Sequence, residues 1–331
     1  MGLLVNGEWK DQWYDTSESG GRFVRSTAKF RDWITFGGSD PQHGIEGAKG
    51  YPAAKDRYHL YVSYACPWAH RALILRALKG LDDMIDVSVV HPDMLKDGWT
   101  FSDDRPGASG DTLYGLPFLR DIYTKAKPDV SGRVTVPVLW DKETESIVSN
   151  ESSEIIRMFN SAFDGLGAAE GDYWPEALRE EIEEVNARVY EDINNGVYKA
   201  GFATSQHAYD EAVEALFEAM TWLETRLEGR DWLVGDAMTE ADIRLFTTMV
   251  RFDSVYHGHF KCNRRKLTEM PNLWLHTRRI FNMDAVRPTV RLDHIVRHYH
   301  YSHETINPYR IVPIGPDIDW SLPDHERSEA A

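Results

Sequence analysis

Cysteine is nearly missing from this chain: 331 residues contain two, Cys66 and Cys262. With no paired spacing they exclude a disulfide framework and a cysteine-rich zinc site, and they fit a reducing compartment. Positive charge is also short, with 37 Lys and Arg against 53 Asp and Glu and a net charge of −16. Such a surface repels nucleic acid and anionic membrane, and no basic patch with interleaved aromatics appears, so neither is expected as a partner. Long hydrophobic runs are absent too: none nears the roughly eighteen residues of a membrane span, and Met1 to Lys10 turns polar too early for a signal sequence. The expected location is the cytoplasm. No internal repeat or low-complexity tract occurs, and the length suits two ordinary domains with a sizeable core.

What is there centres on His59 to Arg71, with Cys66-Pro67-Trp68-Ala69-His70-Arg71 at its end. Leu60 to Val62 is aromatic and β-branched, a short buried strand, and Ala72 to Leu78 favours helix. Pro67 suits the first helical position, where its missing N–H costs nothing and its φ is already helical. Cys66 is therefore expected beside the unpaired N–H groups at the positive end of a helix, which favours thiolate over thiol. Ala69 stands where a Cys-x-x-Cys motif has its second thiol, so an outside thiol must resolve Cys66. The bland alternative is a small buried hydrophobe, a common fate for a lone cysteine.

Residues 1–57 carry glycine clusters and scattered aromatics without a sustained period, an extended arm expected to pack on the body. Asp86 to Val90 is a second strand, completing a right-handed βαβ unit with the Cys66 helix. Residues 91–134 read as a long irregular insertion; Trp99 within it either closes over a site or anchors the loop. Arg133 to Asp141 and Ser146 to Asn150 read as a β-hairpin. Pro137 must sit at a bulge or edge, and X-Pro bonds are where cis peptides occur. A cis bond there would turn the Val136 N–H and C=O outward, able to pair with a bound peptide.

Asn150-Glu151-Ser152-Ser153-Glu154 opens a helix. The Ser152 hydroxyl and the helix N–H groups suit a carboxylate and Glu151 suits an ammonium, a grip for an amino-acid zwitterion; the alternative is an ordinary cap. A linking segment with Gly165, Gly167 and Gly171 follows, and then apolar residues recur at helical spacing. Leu178, Ile182, Val185, Val189, Ile193 and Val197 form one face, with further helices after Thr239 and Pro271 and over about 289–300. The expected domains are the arm (1–57), an α/β domain (58–162) with its 91–134 insertion, and an all-helical domain with a C-terminal extension (172–331).

This order of elements resembles the cytosolic glutathione transferases, a thioredoxin-like domain followed by a helical one. Cys66-Pro67-Trp68-Ala69-His70-Arg71, the long arm, Gly98-Trp99-Thr100-Phe101 and the tail from Ile306 to Pro316 resemble their Xi class, the glutathionyl-hydroquinone reductases. The resemblance implies that Cys66 is the nucleophile and that glutathione is held by Trp99, Arg133, Val136 with Pro137, Glu151 and Ser152. It further implies an aromatic-substrate pocket with Tyr198 and Tyr299, both assigned to catalysis, and Tyr301, and a homodimer formed through the helical domain. Where the class commonly reads His-Tyr-Tyr, this chain has His298-Tyr299-His300-Tyr301.

The chemistry so implied needs glutathione as co-substrate and neither metal nor nucleotide. Cys66 takes the glutathionyl group from an aromatic thioether, and a second glutathione releases it. A general glutathione thiol transferase or dehydroascorbate reductase would use the same cysteine without a quinone pocket, and a non-catalytic binding protein could retain the fold. A metal at His294, His298, His300 and His303 is not expected, because no cysteine or carboxylate cluster completes the site. Cys262, beside Lys261 and Arg264, reads as incidental.

Overall fold

The computed structural model describes residues 2–322, so the end of the expected 172–331 stretch, residues 323–331, lies outside the described residues. Two compact units emerge. The first takes the chain up to Trp13, Ser26–Asp172 and Asp293–His298; the second takes Tyr14–Arg25, Tyr173–Leu292 and the chain from Tyr299 on.

The first unit is built on β5 (Tyr58–Val62), with β6 (Ile85–Val89) parallel on one side and β8 (Val138–Asp141) antiparallel on the other, followed by β9 (Ser146–Ser149). Every residue of β5 is buried, as a strand covered on both faces requires, and its sequence accordingly shows no polar alternation. Leu60 sits between Val87 and Leu139 in register. Helix α1 (Pro67–Leu78) connects β5 to β6 and buries nine consecutive residues from Pro67 to Leu75. Helix α3 (Ser152–Ser161) follows β9 and packs on α1. This is a thioredoxin-like βαβ unit joined to a ββα unit.

Two sequence expectations are corrected in this unit. The arm is not without regular structure: β1 (Leu3–Val5) and β2 (Glu8–Lys10) form a hairpin through Asn6-Gly7, both at positive φ as a tight two-residue turn demands. Strand β1 also pairs with β7 (Gly132–Arg133), and β3 (Trp33–Thr35) runs parallel to β4 (Gly50–Pro52). Three-residue strands are too short to show a period. The 91–134 stretch is not wholly irregular either, because it contains helix α2 (Leu119–Ala126), which buries Leu119, Ile122 and Tyr123 on one face.

The second unit is helical: α4 (Arg179–Arg188), α5 (Gly196–Gly201), α6 (Gln206–Arg226), α7 (Glu240–Met249) and α8 (Pro271–Phe281). Helix α9 (Leu292–Ser302) gives its first turns to the first unit and its end to the second. Single π-helical turns, Val189–Asn194 and Phe252–Tyr256, follow α4 and α7. Ile182, Val185, Val189, Ile193 and Val197 are all buried. The unit's polar anchor is Asp242, fully buried in α7. Its carboxylate accepts hydrogen bonds from the Thr239 N–H (2.8 Å), the Leu233 N–H (2.9 Å) and His276 Nε2 (2.8 Å). Among the described residues no helix is long and apolar enough to cross a membrane.

Candidate active site

Cys66 occupies the N-cap of α1, with extended backbone (φ −78°, ψ 120°) and Pro67 in the first turn. Its N–H donates to the Ser63 carbonyl and its own carbonyl accepts from His70 N at 3.0 Å, so the backbone enters the helix while the side chain stays outside it. Ala65 and Pro67 are buried, whereas Cys66 is half-buried. Its Sγ lies 3.5 Å from the Val136 carbonyl oxygen. The positive end of the helix lies at this residue. Ala69, one turn on, is fully buried.

Val136 precedes β8, and its bond to Pro137 is cis. The preceding loop is held by Tyr123 of α2, a residue not singled out from the sequence. Its hydroxyl donates to the Thr135 carbonyl at 2.8 Å and accepts from Thr135 N and from Asn150 Nδ2. One phenol thus ties the Val136 loop to the chain just before α3. The spacing of Leu119, Ile122 and Tyr123 at helical intervals was the available signal, hidden among prolines and glycines.

At the start of α3, Glu151 is the N-cap, and its Oε1 accepts from the Ser153 N–H at 3.0 Å and the Ser153 hydroxyl at 2.8 Å. Ser152 is buried, and its hydroxyl receives Nη1 of Arg71 at 3.4 Å. Arg71 is itself buried in α1, its guanidinium 4.5 Å from the Trp68 ring centre. The Cys66 motif therefore sends a cation to the N-terminal end of α3, where the helix already favours an anion.

Trp99 is buried and stacks on His298 at 4.9 Å between ring centres, and its carbonyl caps α2 through Leu119 N. It anchors the 91–134 stretch. The Arg133 guanidinium donates to the Gln12 carbonyl, holding the arm.

The second unit brings Tyr198 and Tyr299 together, their hydroxyls 2.5 Å apart, and adds Tyr256, whose hydroxyl is 3.0 Å from that of Tyr299. Burial holds the phenols of Tyr256 and Tyr299 well above their ordinary pKa, so both stay neutral. Phe260 stacks on Tyr256, and His303 meets both Phe260 and Tyr299. Tyr301 instead packs under the Arg310 guanidinium of the tail, 5.5 Å from its ring centre.

The histidines of the tail region serve other contacts. His294 Nε2 bonds to the Pro106 carbonyl and His298 Nδ1 to the Pro92 carbonyl, while His303 Nδ1 meets His259 Nε2 at 3.2 Å. Among the described residues no group of three or more His, Cys, Asp and Glu could hold a metal ion. Cys262 is fully buried, and burial pushes its thiol far above the ordinary range. Neither cysteine forms a disulfide.

Comparison with known proteins identifies the family. The models for the glutathione S-transferase N-terminal and C-terminal domains match residues 65–162 and 206–279. The chain is 57% identical to the glutathionyl-hydroquinone reductase YqjG of Escherichia coli, over 96% of this chain and 97% of that one. It is 54% identical to the glutathionyl-hydroquinone reductase PcpF of Sphingobium chlorophenolicum, over 96% of each. The glutathione-bound structure of YqjG superposes with a TM-score of 0.90, covering 99% of this chain and 100% of that one at 52% identity. The glutathione transferase Xi of Phanerochaete chrysosporium superposes at 0.86, covering 92% and 96%, also at 52% identity.

Proposed function

The chain belongs to the Xi class of glutathione transferases, and from that membership we propose that it reduces glutathionyl-hydroquinones to hydroquinones through a Cys66–glutathione mixed disulfide. The observation that carries this reading is the half-buried Cys66 thiol at the start of α1, with alanine one turn later. The near relatives named as glutathionyl-hydroquinone reductases supply the substrate class.

In the first half-reaction the Cys66 thiolate attacks the thioether sulfur. The ring carbon that bears sulfur takes the proton of the neighbouring hydroxyl, so that as the carbon–sulfur bond breaks and the sulfur–sulfur bond forms the bonding pair passes to that oxygen, leaving a phenolate that solvent then protonates. The hydroquinone leaves reduced, and the two sulfurs are left as the mixed disulfide. Tyr198 and Tyr299, by the resemblance, hydrogen-bond the phenolic oxygen of the leaving ring. In the second half-reaction a glutathione thiolate attacks the glutathionyl sulfur, glutathione disulfide departs, and Cys66 returns as thiolate. No resolving thiol competes at position 69.

Glutathione itself is assigned to the first unit. Val136 pairs with its backbone, the α3 start takes the γ-glutamyl carboxylate at Ser152, and Glu151 takes the ammonium. Trp99 and Arg133 add side-chain contacts. The same reading makes the enzyme a cytoplasmic homodimer, which sedimentation of the purified protein would test.

The direct test is release of hydroquinone from a glutathionyl-hydroquinone, followed by chromatography at varied glutathione. Parallel double-reciprocal lines, and no release by Cys66→Ser, are expected. Reduction of small disulfides or dehydroascorbate without any hydroquinone release would instead assign a general thiol transferase. Full activity in Cys66→Ser would contradict the cysteine mechanism.

A further inference from the structure

Tyr256 is the innermost of three phenols. It closes the π-helical turn Phe252–Tyr256, so its backbone departs from the plain α-helical path, while Tyr198 lies in α5, which follows the other π turn. Such turns recur at functional sites because they re-aim side chains. Tyr256 and Tyr299 are fully buried, while Tyr198 is partly exposed.

A buried hydroxyl hydrogen needs an acceptor, and leaving it without one costs more than a typical bond gains. The polarity that satisfies the sealed end has Tyr256 donating to Tyr299 at 3.0 Å and Tyr299 donating to Tyr198 at 2.5 Å. Tyr198, the partly exposed member, stands at the outer end of this chain. Hydrogen bonds in such a chain polarise one another, so each inner donor strengthens the outer one.

Arg251, buried completely, directly precedes this π turn. Its Nη1 donates to the Thr247 carbonyl at 2.6 Å, and its own carbonyl accepts the N–H groups of Val255 and Tyr256, which closes the π turn on it. Burial dominates the ionisation of Tyr256 and Tyr299 and raises both; the Arg251 charge acts on each in the opposite sense, favouring negative charge on their oxygens.

We infer that Tyr256 is a positioning residue for the leaving hydroquinone: an inner phenol that polarises Tyr299 and Tyr198 toward a phenolate oxygen. The inference rests on the proposed hydroquinone chemistry and deepens it. The developing negative charge on the departing ring would be stabilised by one strong O–H donor backed by two further groups, rather than by an isolated tyrosine.

The test is Tyr256→Phe, which keeps the ring and removes the hydroxyl. Hydroquinone release should fall about fivefold to tenfold in kcat with little change in KM, the loss of one hydrogen bond's worth of stabilisation. Glutathione-dependent reduction of 2-hydroxyethyl disulfide, which forms no phenolate, should be unchanged. Across glutathionyl-hydroquinones of differing phenol acidity, the loss should deepen as the phenol becomes less acidic. A measurement free of turnover is the titration of bound 4-nitrophenol by absorbance, which should show a lower pKa with the native protein than with Tyr256→Phe.

Equal release by native protein and Tyr256→Phe, or equal loss of both activities, would overturn the inference and leave the proposed function standing. No release by the native protein would overturn the proposed function itself. An unshifted nitrophenol titration would then overturn the relay as well.

Discussion

The Cys66 sulfur and the Val136 carbonyl oxygen stand 3.5 Å apart, one at the start of α1 and the other just before β8. A helix terminus and a strand edge thereby meet at the one thiol that is open to reagents. With native protein, iodoacetamide should therefore add one carbamidomethyl group, at Cys66, while the fully buried Cys262 reacts only after denaturation. Intact mass and peptide mapping check this. Two additions to the native protein would contradict it.

Glu151 has two roles that one substitution separates. Glu151→Gln keeps an oxygen for the Ser153 N–H and hydroxyl but removes the charge proposed to hold the glutathione ammonium. Stability should stay within about 0.5 kcal/mol while glutathione affinity falls at least about tenfold, as expected for a lost charged hydrogen bond. Glu151→Ala should in addition lose about 1 kcal/mol of stability with the cap. Denaturant titration and calorimetric glutathione binding measure the two separately.

His59 gives the first unit a pH-dependent stability. It is buried in β5 with Nε2 at 2.8 Å from the Ser88 hydroxyl, and burial pushes its pKa down from 6.5 to about 4. Between those values the unfolded chain binds a proton that the folded chain refuses, so stability is complete above about pH 6.5 and declines as pH falls toward 4. The full loss is about 3 kcal/mol. His59→Gln should flatten this part of the profile of stability against pH, measured by denaturant unfolding across that range.

Asp242 is the corresponding weak point of the second unit. Asp242→Ala leaves the Thr239 and Leu233 N–H groups and His276 without their acceptor in a buried site. A loss of about 3–5 kcal/mol is expected. Unfolding followed by circular dichroism would register it, and a change under about 1 kcal/mol would show that the network is dispensable.

Local signals were the readable ones. The strand-to-helix junction at Cys66-Pro67, the Thr239 cap and the Glu151 helix start each depend on a few adjacent residues, and the structure has all three. Helix α2 was lost among prolines and glycines, and the three-residue arm strands owe their existence to partners far along the chain, such as Arg133 for Leu3. Tyr256 escaped notice because its meaning comes from Tyr299, 43 positions later, and from a π turn that ordinary periodicity does not encode. Cys262 has polar sequence neighbours in Lys261 and Arg264, yet the backbone turns at Lys261 with positive φ and its burial is set by tertiary packing.

The central claim is that the glutathionyl group passes through Cys66. It is tested most directly by mixing the protein with one equivalent of a glutathionyl-hydroquinone in the absence of free glutathione, quenching with acid, and weighing the intact protein. The account predicts a mass gain of one glutathione at Cys66, matched by an equal amount of free hydroquinone and removed on adding glutathione. Hydroquinone released only when glutathione is present, with Cys66 never modified, would contradict it.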